Sequence, residues 1–402
     1  MNLKKFSVIV FTIYCSCTEP FTAVTEGFED VLVVEATITD ELKTQKIKVS
    51  RTYKLEEGTV PSLETNAQVT VEGSDGMVHN FEHSGDGVYT SIQEFQAQEG
   101  VSYKLNIETA NGQKYSSTAE LLPPKVEIDS VYAELITIES GTGVQVFVDS
   151  KERQQNANYF RYEYEETYKI IANRFHQYDA SLDTWQEEGL RFPRCGYDPE
   201  LILRPLEQKT CYSSNFSHEI LVKSLNGLDE ARISRFPIRF IPTDDNVIRD
   251  RYSILVKQFV QSVDANNFYR ILKELGGDQS LLIDNQPGFV RGNIFSVENK
   301  NEKVIGFFDV SSMSSKRIFF DYLDFDIQEK PAYPFECEIL DYDYSATGPP
   351  ISQSDERAIL FHFFSQGFKY YGQDECRVFV VSPQCGDCTT FASSEKPLFW
   401  ED

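Results

Sequence analysis

The 402-residue chain carries 63 Asp and Glu against 38 Lys and Arg, a formal net charge of −25. Such a surface repels nucleic acid and anionic lipid, and no basic cluster offsets it, so nucleic-acid binding is excluded as an expectation. The apolar and charged fractions, 41% and 25%, are those of a folded soluble body. Its length exceeds one ordinary core and implies two or three domains.

The chain opens on MNLKKFSVIVFTIYCSCT. Lys4 and Lys5 precede a short apolar run from Phe6 to Tyr14, and Ser16-Cys17 follows at once. The run is too short for a stable membrane span and reads as a secretory signal over 1–16. A small residue before cysteine at the cleavage point resembles a bacterial lipobox, with Cys17 the lipid-attachment residue. Multiple acyl chains on one cysteine give the anchoring that a single chain does not. Residues 17–27 form a short tether. Nothing later reaches the roughly 18 apolar residues of a membrane helix, so the lipid is the expected membrane link.

From Val31 the pattern has period two. VLVVEATIT and QKIKVSRTY read as strands. Asp75-Gly76 and Asn111-Gly112 sit between alternating runs and predict hairpins, because glycine accepts the positive φ such turns need. Short strands with no helical period predict an N-terminal immunoglobulin-like β-sandwich over 28–122. Leu122-Pro123-Pro124 marks its end.

A larger β-sandwich region follows over 126–402. In NYFRYEYEETYKI, Tyr159, Arg161, Glu163 and Glu165 oppose Phe160, Tyr162, Tyr164 and Glu166, so the aromatics face a core. Residues 173–217 form a long polar insert. Its aromatics Phe175, Tyr178 and Trp185 are the candidate ligand-binding residues, with packing of the insert as the alternative. YSILVKQFVQ reads as a strand. Ser262 or Asp264 caps one short helix over 263–275, ended by Gly276-Gly277. FVRGNIFSV and EKVIGFFDVSS read as a hairpin, and the acidic tract Asp321–Asp326 as a strand with its acids in water. The fold class is therefore mainly β.

Export suits the cysteines. Cys195, Cys211, Cys337, Cys376, Cys385 and Cys388 are an even set, read as disulfides in an oxidising compartment. Cys195 and Cys211 bracket part of the insert and could pair locally. Cys385-Gly-Asp-Cys388 has redox or metal spacing, but no second pair or nearby histidines complete a metal site, so structural bridges are expected. No catalytic signature appears: there is no nucleophile elbow, Walker loop or dinucleotide fingerprint. Neither a catalytic residue, a metal nor a cofactor is expected.

The order SCTEPF, VLVVEATITDE, KVSRT, YSILVKQF, VRGNIFSV, GFFDVSSMSSKRIFF, CGDCT and KPLFW resembles the domain of unknown function 4249 family of Bacteroidetes lipoproteins. That resemblance implies an outer-membrane lipoprotein facing the cell exterior, encoded beside TonB-dependent receptors. It implies a TonB-dependent outer-membrane receptor as partner and a non-enzymatic accessory or ligand-binding role, with the ligand undefined. Glu19 and Glu26, just behind Cys17, fit a surface-export signal. A surface glycan or peptide hydrolase and a structural adhesin are the alternatives.

Overall fold

The computed structural model describes residues 30–52, 62–153, 156–181, 200–229, 231–276, 290–343, 356–374 and 377–402. Cys17, Trp185, Cys195 and Cys376 lie outside the described residues. Strands take 50% of the described residues and helices 12%, so the protein is mainly β as expected. No helix among the described residues is long and apolar enough to cross a membrane.

Alternation builds the first core. In β1 (Leu32–Thr39) the inward parity is Leu32, Val34, Ala36 and Ile38, and in β2 (Lys46–Arg51) it is Ile47 and Val49. Gln68–Gly73 and Val78–Gly85 pair across the Asp75-Gly76 turn, where Gly76 takes φ +84°. Ser102–Glu108 and Lys114–Ser117 pair across Asn111-Gly112, where Gly112 also takes φ +84°. Both expected hairpins are present.

The second core lies between two sheets. Ile128–Ile138, Gly141–Ser150 and Phe236–Pro242 make one. The other holds β3 (Tyr159–Ile171) and β4 (Tyr252–Gln261), paired antiparallel from Tyr159↔Gln261 to Tyr168↔Tyr252. Phe160, Tyr162 and Tyr164 point into this core, as the alternation predicts. After β4 comes α1 (Val263–Gly276), the expected helix. Ser262 accepts the Ala265 N–H through Oγ at 3.2 Å, and Lys273 sits in the last turn.

Here the chain departs from expectation. β5 (Ile294–Ser296) and β6 (Val304–Phe320) do not form a hairpin. β5 pairs antiparallel with Lys114–Ser117, and β6 runs parallel to β1 from Leu32↔Val304 to Thr39↔Ser311. Beyond Ser311, β6 pairs antiparallel with β4, from Val260↔Ser312 to Tyr252↔Phe320. One 17-residue strand thus serves both cores and joins them into a 15-stranded sheet. The first core also takes Ile294, Val304, Phe308 and Val310 from this stretch, far from residues 28–122. Asn293 closes the circuit: its side chain accepts the Phe308 N–H at 2.8 Å and donates to the Phe308 carbonyl at 2.9 Å. The acidic tract is not a strand either. Tyr322–Phe325 is a turn of 3₁₀ helix, because Asp321 and Asp324 cap it reciprocally.

The C-terminal part holds a small third core of Leu360, Tyr370, Val378 and Val380. It lies within Ile339–Asp343, Lys369–Asp374, Arg377–Val381 and an additional ten-residue helix, Glu356–Ser365.

Candidate functional site

The outward parity of β3 is not a plain solvent face. Helix α1 crosses it, because its apolar stripe needs cover: Phe268 packs at a tilt against Phe307 of β6, with 5.6 Å between ring centroids. Arg161 is buried beneath it. Its guanidinium lies 4.4 Å from the Phe259 ring centroid and 4.7 Å from that of Tyr269, and it pairs with Glu163. Asp309 of β6 is fully buried and accepts from Gln261 Nε2 at 2.6 Å. Asn266 of α1 donates to the Phe160 carbonyl at 3.1 Å and to Gln261 Oε1 at 3.4 Å. A polar thread therefore ties β3, β4, β6 and α1 where the two cores meet.

Burial raises the Asp309 carboxyl above the usual carboxylate range, and Arg161 opposes that rise. Burial also works against the Arg161 charge, but Tyr269, Glu163 and Asp309 together outweigh it and hold the guanidinium protonated. The Tyr269 phenol is pushed up by the same burial. A buried charge is tolerated only when so compensated.

Above this thread opens a two-lobed cleft. The larger lobe, about 590 Å³, has the outer faces of β1 and β2 as floor, with Val33, Lys46 and Lys48, and α1 as wall, with Phe268 and Leu272. The smaller lobe, about 310 Å³, lies between β3 and residues 216–220, with Glu219 and Lys257 in its lining. Glu35, Arg161, Glu163 and Tyr269 line both lobes. The volumes suit a small ligand, and the mixed apolar and ionic lining suits binding with a fixed orientation. Among the described residues no group of three His, Cys, Asp or Glu could hold a metal ion.

The candidate ligand aromatics lie elsewhere. Phe175 packs by Ile170 and Cys211, its ring 4.8 Å from the Arg204 guanidinium. Tyr178 opens the short strand Tyr178–Ser181 and donates its N–H to His176 Nδ1 at 3.2 Å. Neither lines the cleft. Local pattern alone does not single out the cleft residues, because Arg161 and Glu163 share the polar parity of β3. The available signal was the apolar stripe of α1, which had to cover some sheet face.

The cysteines form a separate hub. Cys211 bonds to Cys388 and Cys337 to Cys385. Local pairing of Cys195 with Cys211 is thereby excluded: the C-terminal tail runs beside Cys211, with Tyr212 N donating to the Ser393 carbonyl at 2.7 Å. The two cysteines of the CGDC motif enter different bridges. Between them, Asp387 meets buried Arg204 at 3.3 Å and accepts the Thr389 N–H at 3.0 Å. Gly386 is required because a Cβ there would stand 2.7 Å from Lys369 Cβ. Both cysteines of the motif are thus held in bridges, and the residues between them are packed and paired.

A family model described as Domain of unknown function (DUF4249) matches residues 18–317. The chain belongs to this family. The matched span includes β1 to β5, α1 and most of β6, and so every residue lining the cleft. Within the family match, the motifs VLVVEATITDE, KVSRT and VRGNIFSV supply strands of the first core, YSILVKQF supplies a strand of the second, and GFFDVSS lies in β6, which both cores share. CGDCT and KPLFW lie beyond the matched residues. No curated protein matches the chain.

Proposed function

We propose that this DUF4249 protein is a lipid-anchored outer-membrane protein, held through Cys17 and facing the cell exterior. It works without catalysis, as a ligand-binding partner of a TonB-dependent transporter. The observation that carries this reading is the cleft. It is preformed, apolar-walled and crossed by fixed ion pairs, and it is built wholly from residues within the family match. The lipobox-like Ser16-Cys17 lies directly before the first matched residue and supports anchoring of this family body.

The test is recovery of the tagged protein from mildly solubilised membranes, with a Cys17→Ala form alongside. Wild type should sediment with membranes and bring down a TonB-dependent barrel in near-stoichiometric amount, whereas Cys17→Ala should leave the membrane fraction. Recovery of the protein alone, across several detergents and salt levels, would overturn the partnership. Retention of Cys17→Ala in washed membranes would overturn the anchor.

A further inference from the structure

The two lobes of the cleft differ in the charge left over once ion pairs are formed. Arg161 pairs with Glu163, Lys48 with Glu35 at 3.5 Å, and Lys257 with Glu165 at 3.8 Å. What remains is Lys46 in the larger lobe and Glu219 in the smaller one. Both are exposed, and among the described residues neither has a charged partner. His218 lines the smaller lobe beside Glu219. On a chain of net charge −25, an uncompensated lysine over apolar walls is a local reversal of sign. Low-dielectric walls strengthen the attraction of each end for an opposite charge.

Between the two ends lies a polar middle. Glu163 keeps 44% of its side chain exposed while pairing with Arg161, so it retains capacity to accept an N–H. The larger lobe, with Phe268, Leu272 and Phe307, can enclose an apolar side chain. A cationic end, an apolar chamber, an acceptor midway and an anionic end together describe one class of ligand.

We propose that the cleft binds short zwitterionic peptides, with the carboxylate at Lys46, an apolar side chain against α1, and the ammonium at Glu219. The proposal rests on the cleft being the ligand site of the function proposed above, and adds the class of ligand and its direction.

Calorimetric titration of the detergent-solubilised full chain tests it. The probes are Leu-Phe, Ala-Leu-Phe and Ala-Ala-Leu-Phe, each free, N-acetylated or C-amidated. At least one free peptide should bind, and blocking either of its ends should weaken it by about tenfold, equivalent to about 1.4 kcal/mol. The preference should shrink as salt rises. Lys46→Gln should weaken the free and acetylated forms and leave the amide unchanged. Glu219→Gln should weaken the free and amidated forms and leave the acetylated one unchanged. Both sites are exposed and outside the ion pairs, so folding should persist, checked by unchanged thermal unfolding. Equal binding of free and blocked peptides, no binding by any, or the same shift for all three forms would overturn the proposal. Barrel recovery without peptide discrimination would remove the ligand class alone. Peptide discrimination without a barrel would remove the transporter partnership alone.

Discussion

Under the cleft, three backbone segments meet at glycines. Gly306 takes φ +138°, and a Cβ there would stand 2.1 Å from the Val34 carbonyl oxygen. A Cβ on Gly292 would stand 1.6 Å from the Gly306 carbonyl oxygen. β1, β6 and the approach to β5 can pack this closely only without side chains at these points. Gly306→Ala should therefore cost roughly 3 kcal/mol, combining positive-φ strain with separation of β1 from β6. Gly112 provides the comparison: it has φ +84° with nothing within 4 Å of a Cβ, so Gly112→Ala should cost only about 1 kcal/mol. Denaturant unfolding of both variants separates the two terms. Equal losses would mean that close approach contributes nothing. These glycines were legible in principle, since an isolated glycine inside a strand pattern marks a bulge or close backbone approach.

At the scale of elements, one edge of the 15-stranded sheet is Thr210–Phe216, and the C-terminal tail covers part of it. Tyr212 and Ser393 exchange both backbone hydrogen bonds, at 2.7 and 3.2 Å, and Cys211–Cys388 pins the tail there across a separation of 177 residues. Joint replacement, Cys211→Ser with Cys388→Ser, should lower stability by roughly 2–5 kcal/mol, because so long a loop regains its freedom in the unfolded chain. Limited proteolysis should then cut the tail before the sheet; an unchanged melting temperature and cleavage pattern would contradict this. Local signals revealed β1, β2, both glycine hairpins, the aromatic face of β3, the strand β4 and helix α1. Each rests on a period, a cap or a turn residue within a few positions. The partners of β6 left no such trace, since its parallel match to β1 joins segments some 270 residues apart. Cystine pairing was hidden for the same reason. The cleft fell between: its residues were visible, but burial of Arg161 follows only once α1 has a place to lie.

For the whole molecule, the cores share covalent and packed elements rather than meeting at a flat boundary. β6 contributes Phe308 and Val310 to the first core and Phe320 to the second. The Asp309–Gln261–Asn266 thread crosses between them, so opening one core exposes buried polar groups belonging to the other. The tail adds a third tie. Trp400 is buried and lies edge-on to Tyr212 and Phe319, at 4.9 and 5.7 Å between ring centroids, while Arg251 donates to the Glu401 carbonyl at 2.6 Å. Cys337–Cys385 and Cys211–Cys388 fasten the C-terminal part to itself and to the large sheet. Independent domains of this total size would ordinarily melt in separate steps. Here, separating the first two cores would require fraying the middle of a continuous strand with no loop to absorb it. Scanning calorimetry of the oxidised protein should therefore show one transition for these two cores, with calorimetric and van't Hoff enthalpies nearly equal. A proline at Ser311, where β6 passes from one partner to the other, should break that coupling by removing a ladder donor. The single peak should then broaden or split. Two well-resolved transitions in the unaltered protein, each large enough to be one of these cores, would show that the shared strand does not couple them.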